Sequence, residues 1–158
     1  MAKVMTEEFE FDLIFALPRK DLDQDAILDA LFEAGCDDAV VGLGAPGLVG
    51  LAFTRSGESA GEVIAGAMEA ALSALPEGAK LREVKPDLVS QGDVASRLRV
   101  SRQALQKREL PPPSIGGLMF AVLDAQPGKV KDALEDARPW FASAPAAQQI
   151  NARLSLDA

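Results

Sequence analysis

Hydrophobic and polar residues alternate along residues 8–16. Large apolar side chains occupy every second position, and acidic residues separate the first three of them, in the order Phe9, Phe11, Leu13 and Phe15. Side chains of a β-strand point alternately to opposite faces of the sheet. The period of two therefore predicts a strand with one buried face.

Apolar residues at helical spacing predict two helices in the first half of the chain. Asp23 is placed to cap the first helix at its N-terminus, and Gly35 to end it. The second helix opens at Glu58 or Ser59 and ends before Gly78.

Three further strands are predicted at residues 39–43, 48–54 and 80–84. Residues 44–47 have turn composition, so the first two of these strands form a hairpin. The order strand, helix, strand, strand, helix, strand is that of a ferredoxin-like sandwich, in which two helices cover one face of an antiparallel sheet. We therefore expect an α+β protein in which residues 1–85 form a ferredoxin-like domain.

A helix-turn-helix pattern begins the second half of the chain. Ser90 is placed to cap a helix over residues 91–98, Arg99 and Val100 form a tight turn, and Ser101 caps a second helix that starts at residue 102. The second helix presents four polar residues on its exposed face, Arg102, Gln103, Gln106 and Lys107. Arginine and glutamine are the side chains that read guanine and adenine, and lysine holds phosphate.

Residues 86–103, with the prolines at 111–113, resemble the DNA-binding helix-turn-helix of small bacterial transcriptional regulators, the excisionase-like and MerR-like domains being the nearest group. Arg99 departs from that pattern, which has glycine or asparagine at the turn, and so does Arg108, where the pattern has an apolar residue. The resemblance implies a sequence-specific transcriptional regulator that binds DNA as a homodimer. It implies DNA contacts from Ser101, Arg102, Gln103, Gln106 and Lys107, with Arg99 at the turn beside them.

The remaining sequence completes a mainly helical domain over residues 86–158. Residues 114–125 fit a strand or a wing, residues 129–141 a helix broken near Arg138, and residues 146–156 a further helix. Trp140 is expected to pack in a core or between domains.

Charge is divided unevenly along the 158 residues, whose formal net charge is −8. Residues 1–86 have a net charge of −9, whereas residues 87–113, which contain the helix-turn-helix pattern, have a net charge of +2. A basic reading element on an acidic body lowers non-specific attraction to phosphate and leaves specificity to a few contacts. Surface acids that serve solubility alone explain the same numbers.

Composition excludes several kinds of chemistry. The chain has no histidine and one cysteine, which removes Ser-His-Asp catalysis, an intrachain disulfide and a Cys-rich zinc site. Residues 42–47 match a dinucleotide-binding glycine motif by letters, but a strand follows where that motif needs a helix. We expect no enzyme activity, no metal and no cofactor, with Arg55 in a surface salt bridge and Cys36 partly buried. A cytoplasmic protein with no signal peptide and no membrane segment is expected.

Three alternatives stay open. The helix-turn-helix segment fits a helical hairpin that serves packing or a protein partner. The whole chain fits an antitoxin, anti-activator or adaptor that binds a protein partner through its acidic N-terminal domain. A ferredoxin-like sheet can also carry a site for a small-molecule effector.

Overall fold

A four-stranded antiparallel sheet forms the centre of the protein in the computed structural model, which describes residues 6–101, 103, 114–115 and 131–157. The strands are β1 (Glu7–Ala16), β2 (Val40–Gly42), β3 (Leu48–Gly57) and β4 (Lys80–Lys85), each within three residues of its predicted bounds. Their order across the sheet is β2-β3-β1-β4, so β2 and β4 are its edges. The predicted α+β class is confirmed.

The alternation in β1 produces the two faces of the sheet. Its aromatic and leucine residues are buried, and Phe11 stacks on Phe53 of β3 with ring centroids 5.4 Å apart. Glu10, Asp12 and Ile14 point to the opposite, half-exposed face. Burial of large apolar side chains on one face fixes the register, because a slip of one residue would expose all of them.

The first two helices cover the buried face of the sheet. They are α1 (Gln24–Leu31) and α2 (Ala60–Ala74), capped by Asp23 and Ser59 as the sequence predicts. A π-helical turn, Phe32–Cys36, follows α1 and contains Gly35, which has a φ of 92°. This left-handed conformation favours glycine, so Gly35 ends the helical path as predicted.

A third helix joins this layer. After a short helix, α4 (Lys131–Asp136), the helical path is interrupted at Ala137 and continues as α5 (Arg138–Asp157), with Pro139 in its first turn. The predicted break near Arg138 is thus confirmed, but α5 begins earlier than residue 146. Helix α5 packs on β1, β4 and α2, and Ala147 is fully buried in the same core. A division at residues 85 and 86 stays a prediction.

The second half of the chain begins with β5 (Leu88–Val89) and α3 (Gln91–Leu98), and β5 pairs with β6 (Ser114–Ile115). Residues 116–125 of the predicted strand or wing lie outside the described residues. A second apolar core joins α3 to the last two helices through Val94, Ala95, Leu98, Leu134, Ala137 and Phe141. Within the described ranges, no helix has the length and apolarity needed to cross a membrane.

Candidate functional site

Helix α3 is capped by Ser90, as the sequence predicts, and Asp93 completes a capping box. The Ser90 hydroxyl accepts a hydrogen bond from the Asp93 backbone N–H at 3.0 Å, and the Asp93 carboxylate accepts one from the Ser90 N–H at 2.9 Å. Two of the N–H groups that a helix start leaves unpaired are satisfied this way. The start of this short helix is therefore well defined.

The end of α3 is a Schellman turn. Arg99 adopts the left-handed conformation with a φ of 57° and donates its N–H to Ser96, while Val100 donates to Ala95 at 3.0 Å. Val100 also packs against the second core, which is the apolar contact that accompanies this motif. An arginine here costs about 1 kcal/mol relative to glycine, because its Cβ crowds the following carbonyl.

The chain leaves this turn with polar residues exposed to solvent. Arg99, Ser101 and Gln103 are exposed, and Gln103 is helical. The capped helix and the tight turn that the sequence predicts are thus present, whereas the helix-turn-helix as a whole stays a prediction. The other three candidate DNA contacts, Arg102, Gln106 and Lys107, lie outside the described residues.

Arg97 ties α3 to the half-exposed face of the sheet. Its guanidinium donates to the Glu10 carboxylate at 2.6 Å and lies over the Trp140 ring, 4.9 Å from the ring centroid. The Trp140 ring in turn meets Phe141 edge-on. Trp140 therefore packs where α3, α5 and β1 meet, consistent with the expectation that it packs in a core or between domains.

A charged cleft of about 640 Å³ opens between α3, the N-terminal end of α5 and the half-exposed face of β1 and β4. Trp140 contributes its one aromatic wall. Its charged lining consists of the acids Asp12, Glu83, Asp87 and Asp93 and the bases Lys85, Arg97 and Arg99. Both signs are interspersed, so the cleft attracts neither anions nor cations strongly. One predicted DNA contact, Arg99, stands at its rim.

Asp12 is a partly buried carboxyl in this cleft. Burial raises the pKa of the Asp12 carboxyl, and the neighbouring Glu10 adds to the increase, while the positive charges of Arg97 and Lys85 oppose it. Removal from water disfavours the ionised form of an acid. The Asp12 carboxyl therefore holds its proton more readily in the folded protein than in water.

Asn151 of α5 closes the outer edge of β4. Its side-chain oxygen accepts from the Val84 N–H, and its side-chain NH₂ donates to the Val84 carbonyl, both at 2.8 Å. The same NH₂ donates to Asp87 Oδ2 at 3.0 Å. The amide thus takes the place of a neighbouring strand at one residue. The other carboxylate oxygen of Asp87, Oδ1, is buried and has no hydrogen-bond partner.

The opposite end of the sheet holds the ion pair that the sequence predicts for Arg55. Asp38 accepts two hydrogen bonds from the guanidinium, at 2.7 and 2.9 Å, and the Arg55 pair lowers the pKa of this carboxyl. Arg55 also donates to the Gly35 carbonyl at 2.8 Å. Cys36 is buried beneath this network, and burial raises the pKa of its thiol. This cysteine is therefore structural in character.

The contacts of Arg97 and Asn151 have no signature in the sequence. Arg97 meets Glu10 across 87 positions of the chain, and Asn151 meets Val84 across 67. The one local signal is that Glu10 and Asp12 stand at outward positions of an apolar strand. Among the described residues, no group of acids and cysteine is arranged to hold a metal ion.

Comparison with known proteins adds no identification: no family model, no curated protein and no solved structure matches the chain.

Proposed function

We propose that the chain is a sequence-specific DNA-binding transcriptional regulator whose second half, residues 86–158, is a helix-turn-helix domain. The recognition helix starts at Ser101 and enters the major groove. Direct base contacts come from Arg102, Gln103 and Gln106. Lys107 binds phosphate.

One observation carries the proposal: the capped helix α3 is followed by a Schellman turn at Arg99, after which the chain is helical again at Gln103. A turn of about three residues between two helices, with the second helix exposed, is the geometry that this motif uses. The exposed residues at the start of the second helix are of the types that contact bases and phosphates.

Charge supports the same assignment. The segment 87–113 is net positive, whereas residues 1–86 are strongly acidic. Arg97 is paired with Glu10 and packed on Trp140, so it serves the fold, and Arg99 is exposed at the turn. The acidic half repels DNA and thereby disfavours non-specific binding.

The second part of the proposal is that the N-terminal half is a ferredoxin-like sandwich. Its element order, its strand order β4-β1-β3-β2 and the position of α1 and α2 on one face support this assignment. In this architecture the helices of the sandwich cover one face of the sheet. The other, half-exposed face contacts the proposed DNA-binding half through the Glu10–Arg97 pair.

DNA binding is tested with labelled fragments of the organism's own genome, by fluorescence anisotropy at low salt and then at rising salt. The expected result is a small set of fragments bound far more tightly than the remainder. Arg102→Ala abolishes the preference for these fragments, and Lys107→Ala weakens binding to all of them and lowers the salt slope by about one. Absence of preferred fragments contradicts the proposal.

Glutamine offers a matched control. Gln103→Ala removes an exposed amide from the start of the recognition helix, whereas Gln149→Ala removes one from α5. The first is expected to cost about 1–3 kcal/mol of discrimination at one base pair, and the second nothing. Equal effects of the two substitutions would contradict a base contact by Gln103. That result is the one expected if the protein is an adaptor that binds a protein partner.

A further inference from the structure

The edge strand β2 is short, with three residues, and it carries none of the other devices that protect an exposed sheet edge. Its sequence is Val-Val-Gly, and among the described residues it pairs only with β3, through Val40–Ala52, Val41–Leu51 and Gly42–Gly50. Natural edges are usually blunted by lysine, proline, a bulge or a covering helix. The strand contains no charged residue and no proline, and no other strand among the described residues pairs with its outer side.

Two large apolar side chains stand on either side of this edge. Val40 lies on the half-exposed face of the sheet, opposite Ala52, and is 74% exposed. Phe32, 67% exposed, lies on the helical side, where it borders a groove of about 340 Å³. The groove is lined by Leu28, Ala39 and Val41 and also by the acids Asp29 and Asp37. A strand added to β2 would cover both of these side chains at once.

We propose that β2 is the dimer interface of this protein and that its occupant is β2 of a second copy, paired antiparallel about a two-fold axis at Val41. The two four-stranded sheets become one sheet of eight strands. Phe32 and Leu28 of each copy then face the same elements of the other. The DNA-binding proposal expects a dimer, and this inference names its surface.

Charge at the two ends of β2 matches this register. Centring the two-fold axis on Val41 places Asp37 of one copy opposite the turn 44–47 of the other. Asp37 is exposed at the N-terminal end of β2, whereas exposed Lys20 lies at the other end, with its aliphatic stem over Gly47. Antiparallel pairing brings the Asp37 of each copy to the Lys20 of its partner, twice by symmetry.

The test measures the mass of the full chain in solution by sedimentation equilibrium without DNA, so its outcome is independent of DNA binding. The wild type is expected at twice the 16.6 kDa chain mass. Val40→Lys is expected to give a folded monomer, because it places a lysine beside the symmetry axis of the paired strands. Leu156→Lys, at an 84% exposed position of α5, is the matched control and leaves the dimer intact.

A charge exchange tests the register. Asp37→Lys alone and Lys20→Asp alone are each expected to raise the dimer dissociation constant about tenfold, since like charges then meet twice. The double variant exchanges the two charges and restores the wild-type constant within about threefold. A monomeric wild type, a dimer that Val40→Lys leaves unchanged, or a double variant no better than either single variant would each overturn the inference.

Discussion

The two edge strands of the sheet, β4 and β2, differ in how far the rest of the chain covers them. At β4, Asn151 pairs with the backbone groups of Val84 and helix α5 packs alongside. Four of the six residues from Lys80 to Lys85 are charged. At β2, three uncharged residues meet solvent beside Phe32. The chain itself thus covers one edge of the sheet at Val84, whereas no described strand pairs with the outer side of β2.

The closure of β4 comes from far along the sequence. Asn151 is 67 positions from Val84, and it belongs to a helix that also carries the second core and Trp140. Helix α5 therefore stands on the β4 side of the sheet. A second copy bound at β2, as we propose, leaves α5 unobstructed.

The largest effect is expected at Asn151. Asn151→Leu keeps the volume of the side chain but leaves the Val84 N–H and carbonyl without their partners inside the protein. An unpaired buried polar group costs about 1–3 kcal/mol, so we expect a loss of about 2–3 kcal/mol in the free energy of unfolding. The denaturation midpoint in urea measures it.

The control for Asn151 lies on the exposed side of the same helix. Gln148→Leu is solvent-exposed and is expected to change stability by less than about 0.5 kcal/mol. If Asn151→Leu were equally neutral, the β4 edge would not depend on its side-chain amide, and the contrast between the two edges would disappear.

Arg99→Gly is expected to stabilise the protein by about 1 kcal/mol, because glycine adopts the left-handed conformation without the crowding of a Cβ. Arg153→Gly makes the same substitution inside helix α5, where it is expected to cost about 1 kcal/mol. Thermal unfolding of the two variants should therefore shift in opposite directions. A destabilised Arg99→Gly would show that the arginine side chain contributes more at the cleft than its backbone costs.

On the β2 side, Asp38→Asn is expected to cost about 0.5–1 kcal/mol, the range of a partly exposed ion pair. The pKa of Asp38 is lower in the folded state than in the unfolded state. The ion pair therefore contributes its full stability at pH values above the unfolded-state pKa, and this contribution is lost as the pH falls through the folded-state pKa. Urea unfolding at neutral and acidic pH should show the two proteins converge in acid.

Asp21→Asn is the control for Asp38. Asp21 also pairs with an arginine, Arg19, but at 3.5 Å and with both side chains mostly exposed, so no measurable change is expected. An equal loss in the two variants would mean that the pair of Asp38 gains nothing from its two short hydrogen bonds.

The smallest effect is expected at Asp12. The folded-state pKa of Asp12 lies above its unfolded value, so its ionised form destabilises the protein at neutral pH, and the penalty disappears as pH falls below the unfolded value. Asp12→Asn should raise stability by about 0.5 kcal/mol at neutral pH and by nothing in acid. A less stable variant at neutral pH would show that attraction by Arg97 outweighs burial.

Local features of the fold were predictable because their causes are local. The alternation in β1, the caps at Asp23 and Ser90, and the helix ends at Gly35 and Arg99 depend on residues within a few positions of one another. The contact of α5 with the sheet was not predictable, because the alanines that face it, such as Ala147, have the same pattern in any packed helix.

The candidate site likewise has a part that local sequence predicts and a part that only the tertiary fold determines. The turn at Arg99 and the exposure of Ser101 and Gln103 follow from the sequence pattern, whereas the positions of Arg102, Gln106 and Lys107 stay predictions. The cleft around Asp12 could not be foreseen, since it is formed by residues from β1, β4, α3 and α5 that only the tertiary fold brings together.

The side-chain amide of Asn151 also limits how far copies of this chain can add to one another. A sheet with two open sides can lengthen strand by strand without end, as in a filament. Here the N–H and carbonyl of Val84 are already paired with Asn151, so β4 is a poor second side for growth once two copies join through β2 as we propose. In the proposed dimer, this carboxamide favours a finite assembly over a fibre.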